Sequence, residues 1–99
     1  MNIGMYEEAV QVLEEFVRLQ PADFDGHYQL GAALEIISER TLDEATTRRA
    51  VDELKRALSI QGEHQMAAMA HYYLAKAYRR LELYDKAESE FELYERMSP

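Results

Sequence analysis

One short pattern occurs three times along this chain, and it restricts the possible folds more than any other feature. In each copy, a small residue is followed four positions later by a large apolar residue and twelve positions later by a residue that ends helices. The copies are Ala9-x3-Leu13 with Pro21, Ala50-x3-Leu54 with Gly62, and Ala87-x3-Phe91 with Pro99. Three copies in the same register predict a fold built from internal repeats.

A second pattern precedes two of these copies. His27-x2-Leu30-Gly31-x2-Leu34 lies upstream of Ala50, and His71-x2-Leu74-Ala75-x2-Tyr78 lies upstream of Ala87. The order of the two patterns resembles the tetratricopeptide repeat (TPR), a helix–turn–helix unit of about 34 residues. The resemblance covers nearly the whole chain. It implies an all-α fold of antiparallel helix–turn–helix repeats, stacked as a short right-handed superhelix (an α-α superhelix) of about five helices.

Apolar periodicity and helix-ending residues predict where these helices lie. Thr41 and Glu44 have the spacing of a capping box, which would begin the third helix. Gly62 can adopt the left-handed conformation that often ends a helix, and would end the same one. The predicted helices cover about residues 2–19, 24–40, 41–60, 65–81 and 84–97.

The middle repeat departs from the family spacing. His71 and Ala87 are 16 positions apart, as the family pattern requires, whereas His27 and Ala50 are 23 apart. The seven extra residues are close to two helical turns. We therefore expect both helices of the middle repeat to be longer by about one turn, with a tight connection near Thr41.

The start of the chain matches only the second half of a repeat, through Gly4-x-Tyr6-x2-Ala9. We therefore expect one TPR-like domain over residues 1–99, with a half-repeat at 1–22, an extended repeat at 23–62 and a further repeat at 63–99. This organisation is typical of a piece of a longer array.

Small residues at equivalent positions predict close helix packing within each repeat. Gly31 and Ala75 would lie opposite Ala50 and Ala87, where a larger side chain costs about 1–3 kcal/mol by overpacking. The residues expected to pack within and between repeats are Leu30, Gly31, Ala50, Leu54, Leu74, Ala75, Tyr78, Ala87 and Phe91.

Composition excludes several classes of function. The net charge of −8 argues against nucleic acid and anionic membranes as partners, because both bind cationic surfaces. The chain has no cysteine, and therefore no disulfide or thiolate metal site. No apolar run has the length of a membrane span, and no signal peptide is visible, so we expect a cytoplasmic protein.

The sequence contains no pattern typical of an enzyme. Nucleophile elbows, phosphate loops and dinucleotide motifs are missing, and adjacent carboxylates such as Glu7-Glu8 do not face each other on a helix. His27 and His71 would lie one repeat apart, too far to share a metal ion. His64, beside Glu63, is interpreted as a solvated side chain. We expect no catalysis, no cofactor and no metal site.

The resemblance also implies a binding surface, because first helices of successive TPRs line a concave groove that binds extended or helical peptides. Residues 62–82 are the only net positive segment, and their cations could hold a partner's carboxylates. Alternatively, Arg79 and Arg80 complement the carbonyl end of their helix. The predicted groove residues are Tyr28, Gln29, Glu35, Met69, Tyr72, Tyr73, Lys76, Arg79 and Arg80, with Asp25, Ala32 and Ile36 beside them.

These observations favour a non-catalytic protein–protein interaction scaffold that binds a protein or peptide segment, including an acidic one, in the groove. The alternative is a structural or oligomerisation module that associates through the open ends of the stack. Each repeat leaves an apolar face for its neighbour, so a weak homodimer is expected on this reading. The apolar residues expected to be uncovered at the ends are Met5, Val12, Phe16, Leu19, Tyr94 and Met97.

Overall fold

A computed structural model of the protein describes residues 3–98, and these residues form five α-helices. The helices are α1 (Ile3–Leu19), α2 (Phe24–Thr41), α3 (Glu44–Ile60), α4 (Ala67–Arg80) and α5 (Tyr84–Met97). The predicted all-α helical-repeat class is confirmed for this part of the chain. Two predicted elements, the helix start at Asn2 and the helix-ending Pro99, lie outside the described residues.

The helices pack as two hairpins with one further helix at the side. The most extensive contacts are within the hairpins α2–α3 and α4–α5, while α1 packs on α2 and the hairpins meet through α3–α4 and α2–α4. Two apolar clusters lie between them. The first contains Val10, Leu30, Ala33, Leu34 and Ala50, and the second contains Val51, Leu54, Ala70, Leu74, Ala77, Tyr78 and Ala87.

The middle repeat is longer, as predicted, and the extra length is entirely helical. Helix α2 has 18 residues against 14 in α4, and α3 has 17 against 14 in α5. The differences of four and three residues add up to seven, the size of the insertion. Only Leu42 and Asp43 connect α2 to α3, and the N–H of Leu42 still bonds to Ser38 O.

The predicted caps of α3 are wrong at both ends. Leu42 is left-handed (φ 59°) and ends α2, so Thr41 remains helical and cannot begin α3. Asp43 is the N-cap instead, because its extended backbone lets its carboxylate accept the N–H of Thr46 at 3.3 Å. At the other end, α3 stops at Gln61 (φ −151°, ψ 86°), and Gly62 has no left-handed conformation.

Helix α4 begins two residues later than predicted. A turn that includes His64 occupies the preceding segment, with the N–H of Ala67 bonded to His64 O at 2.8 Å. The imidazole Nδ1 of His64 also accepts the N–H of Met66 at 2.9 Å. These bonds satisfy backbone groups outside the helix and fix where α4 starts.

Candidate protein-binding surfaces

Close packing within the middle repeat depends on the absence of a side chain at Gly31. A β-carbon at this position would lie 2.6 Å from Leu54 Cγ, and the three atoms nearest to it all belong to Leu54. Of the predicted packing residues, Leu30, Gly31, Ala50, Leu54, Leu74, Ala75, Tyr78 and Ala87 are buried, and Phe91 is half-buried.

A row of aromatic rings runs from α2 across α4 to α5. We call Phe24, Tyr28, Tyr73, Tyr72 and Tyr94 the aromatic row. Successive ring centroids along it are 5.7, 6.3, 5.6 and 5.2 Å apart, which is the range of favourable aromatic contact. Four of its five rings are half-buried tyrosines. The row therefore presents a preformed surface of phenol rings at the N-terminal half of the α2/α4 face.

Tyr28 and Tyr73 of this row are neutral hydrogen-bonding groups. Burial, together with the neighbouring Tyr73, raises the pKa of Tyr28 to about 12. Burial also raises the pKa of Tyr73. No hydrogen bond of the Tyr28, Tyr72 or Tyr73 hydroxyls occurs within residues 3–98. These hydroxyls are therefore able to bond to water or to a partner.

The C-terminal half of the α2/α4 face is an ion-pair network. Arg80 Nη1 lies 2.6 Å from Glu35 Oε1 and donates to Ser38 Oγ at 3.0 Å. Lys76 Nζ lies 2.7 Å from Glu39 Oε2, and Arg80 Nη2 lies 3.6 Å from the same oxygen. We call Glu35, Ser38, Glu39, Lys76 and Arg80 the α2/α4 network. Its two carboxylates and two cations leave it with no net charge.

The pKa values of Glu39 and Lys76 change in the directions expected for an ion pair. The hydrogen bond from Lys76 lowers the pKa of Glu39. Burial opposes the charged form of Lys76, but Glu39 and Glu35 outweigh it and raise the pKa of Lys76. Both groups therefore stay charged, and paired, across the physiological range.

The network changes the interpretation of the predicted groove. Glu35 is fully buried, so its prediction as a groove-lining residue is wrong, because its carboxylate faces Arg80 inside the α2/α4 contact. Arg80 pairs with this carboxylate, so its role is not limited to complementing the carbonyl end of its own helix. Arg79 is exposed and lines a different cleft, between α4 and α5. Of the remaining groove residues, Tyr28, Met69, Tyr72, Tyr73 and Lys76 are half-buried and Gln29 is exposed.

Sequence reasoning missed this network, although one signal for it was present. Glu35 and Glu39 are four positions apart on α2, and Lys76 and Arg80 are four apart on α4. Each pair therefore lies on one helix face. Opposite charges with the same spacing on two neighbouring first helices indicate pairing between those helices.

The histidines hold helices together. His27 is buried, with Nε2 2.8 Å from Pro21 O and Nδ1 3.3 Å from Glu53 on α3. His71 Nδ1 lies 2.5 Å from Glu90 on α5. Each pair thus joins the two helices of one hairpin. Within residues 3–98 no group of three His, Asp or Glu side chains is arranged to hold a metal ion.

The interpretation of His64 as a solvated side chain is wrong. Its ring stacks on Phe24 with centroids 3.9 Å apart and planes 12° apart. Its Nε2 lies 3.4 Å from Asp25. His64 therefore extends the aromatic row, and its contacts hold the α3–α4 connection against α2.

The two ends of the helical stack expose different amounts of apolar surface. On α1, Met5, Val12 and Leu19 are 67%, 69% and 61% exposed and Phe16 is 39% exposed, as predicted. At the other end Met97 is exposed, but Tyr94 is half-buried because its ring packs on Tyr72. The prediction that Tyr94 is uncovered is therefore wrong, and the main exposed apolar stripe is on α1.

The paired helices and their small-residue contacts define a helical-repeat protein. Residues 1–23, which include α1, match a family model described as tetratricopeptide repeat. With the five-helix fold, this match supports assignment of the chain to the tetratricopeptide repeat family. A comparison with curated proteins finds no match. TPRs generally mediate protein–protein interactions and are generally non-enzymatic modules.

One further property concerns membranes. In the part of the chain that the structure describes, no helix combines the length and the apolar character needed to cross a bilayer.

Proposed function

We propose that this protein binds a protein or peptide segment, without catalysis, on the α2/α4 face. The observation that carries the proposal is the aromatic row, and above all its half-buried Tyr28, Tyr72 and Tyr73 on the neighbouring first helices α2 and α4. Tyrosine offers a broad, rigid contact area at low entropic cost, and its hydroxyl can bond to a partner's backbone. The surface is formed before binding, so little ordering has to occur on association.

The chemistry of this face favours an uncharged or mixed segment over a strongly acidic one. Lys76 and Arg80, the cations expected to hold a carboxylate, are neutralised by Glu39 and Glu35. An acidic partner would have to displace one of these carboxylates. Apolar side chains and backbone amides of a partner would instead meet the rings of Tyr28 and Tyr73.

Selection of peptides from a random display library tests this proposal. Peptides enriched on the wild-type protein should bind the Tyr73→Ala variant at least about tenfold more weakly, as expected for a tyrosine hot spot. Tyr84→Ala is the matched control, because Tyr84 is an exposed tyrosine away from the α2/α4 face. Thermal melts verify that both variants fold.

NMR shift mapping of the same peptides locates the contact. Shifts centred on Tyr28 and Tyr73 support the proposal. Failure to enrich any peptide, or equal weakening by Tyr73→Ala and Tyr84→Ala, would overturn it.

The alternative function, association through the ends of the stack, is favoured by the apolar stripe on α1. Its large side chains are exposed side by side on one helix, and such patches commonly mark interaction sites. If they associate, sedimentation equilibrium should show a concentration-dependent dimer that Val12→Glu abolishes. A clean monomer at high concentration would eliminate this alternative and leave the α2/α4 proposal untouched.

A further inference from the structure

A second apolar cleft lies between α4 and α5, away from the network. Its volume is about 380 Å³, and the apolar part of its lining, here called its floor, is the buried Ala87, the half-buried Phe91 and the exposed Tyr84. We call it the α4/α5 cleft, and its lining residues are Arg79, Tyr84, Ala87, Glu88, Phe91, Glu92 and Glu95. Open apolar clefts on helix pairs are the sites that amphipathic helices use for docking.

The rim of this cleft carries a net negative charge, from three glutamates against one arginine. Glu88, Glu92 and Glu95 are spaced four and three positions apart, so they form a line along one face of α5. Like charges at these spacings repel and destabilise the helix. Within residues 3–98 none of the three forms an ion pair. This differs from the α2/α4 network, where each carboxylate faces a cation.

Charge complementarity identifies the occupant. A ligand that covers the floor must bring its own flanks beside three exposed glutamates and one arginine, Arg79. A basic flank would relieve the repulsion along α5, whereas an acidic one would increase it. The exposed end helices of a second copy are unsuited, because α1 carries four acidic residues against one basic and α5 carries five against two.

We propose that the α4/α5 cleft binds a cationic amphipathic helix of a partner protein. Apolar side chains spaced three and four positions apart on that helix would cover Tyr84, Ala87 and Phe91. Lysines or arginines on its edge would meet Glu88, Glu92 and Glu95. This site lies outside the aromatic row, so it adds a second partner class to the proposed function.

A pair of designed peptides tests the proposal by calorimetry. Each is an acetylated, amidated helix of about 18 residues, since shorter isolated helices are marginal in water. Leucines line one face of both peptides, and the edge beside them carries lysine in one and glutamate in the other. The lysine peptide should bind the wild-type protein, and the glutamate peptide should bind at least about tenfold more weakly.

Matched protein variants locate the site. The triple variant with Glu88→Gln, Glu92→Gln and Glu95→Gln should bind the lysine peptide about tenfold more weakly than the wild-type protein does. The control, Glu7→Gln, Glu8→Gln and Glu63→Gln, makes the same change in net charge at exposed positions and should alter affinity less than about twofold. Circular dichroism melts confirm that both triple variants are folded.

Reciprocal tyrosine variants separate this proposal from the one above. Tyr84→Ala should weaken binding of the lysine peptide, and Tyr73→Ala should not. For display-selected peptides on the α2/α4 face, we expect the reverse: Tyr73→Ala weakens binding and Tyr84→Ala does not. Equal binding of the two designed peptides, no binding of either, equal loss in both triple variants, or loss confined to Tyr73→Ala would overturn the α4/α5 proposal.

Discussion

Replacing Arg80 by methionine should lower the free energy of unfolding by about 3–5 kcal/mol, because a buried carboxylate loses the cation paired with it. Glu35 is fully buried and lies 2.6 Å from Arg80 Nη1. Neither of its oxygens accepts a well-directed hydrogen bond from within residues 3–98. Proximity of opposite charge is therefore what the carboxylate depends on, and denaturant unfolding measures its loss.

The double variant Glu35→Met with Arg80→Met is the matched control. Removing both charges leaves no unpaired ion, and apolar side chains of similar size commonly replace a buried ion pair at little cost. The double variant should therefore be clearly more stable than Arg80→Met alone. If the two were equally unstable, Arg80 would matter for its packing and the charge pair would not be the cause.

Replacing Gly31 by alanine should lower the free energy of unfolding by about 1–3 kcal/mol, because no space remains for a β-carbon between α2 and α3. The new carbon would lie 2.6 Å from Leu54 Cγ and 3.1 Å from the Leu54 backbone nitrogen. Leu54 is fully buried, so the two helices must separate. Leucine at the same position should cost more, and Ala75→Leu should destabilise the equivalent contact.

Alanine substitutions at two other glycines provide comparisons in the same unfolding experiment. A β-carbon at Gly26 would lie 2.6 Å from Cδ1 of the Phe16 ring, but Phe16 is partly exposed and can move. Gly62 is not left-handed, and only Leu58 O lies near, at 3.3 Å. We expect the loss of unfolding free energy on substitution by alanine to be largest at Gly31, smaller at Gly26 and smallest at Gly62. A loss at Gly62 equal to that at Gly31 would contradict the tight α2–α3 contact.

Helix positions were predictable because they depend on periodic patterns. Apolar spacing and Pro21 placed α1 and α2 to within a residue or two, and the seven-residue insertion correctly predicted the longer α2 and α3. The caps were not predictable, because a single left-handed residue, Leu42, decides whether Thr41 or Asp43 begins α3. Nothing in the residue type of leucine indicates that conformation.

The candidate binding surface was predicted only in part. Tyr28, Tyr72 and Tyr73 were predicted as groove residues because equivalent repeat positions lie on one face, whereas Tyr94 was assigned to an open end. The neutralisation of Lys76 and Arg80 was not, because it requires the relative register of α2 and α4, and a helix pattern does not contain this. Counting segment charge treated these cations as free, whereas Glu35 and Glu39 from another segment hold them.

The salt dependence of a display-selected peptide tests most directly whether the α2/α4 face binds through tyrosines or through cations. Because the network is internally paired, affinity should not fall by more than about twofold between about 0.1 and 1 M sodium chloride. A fall of more than about tenfold over this range would show that Lys76 and Arg80 bind the partner's carboxylates, and would contradict the tyrosine-based interaction.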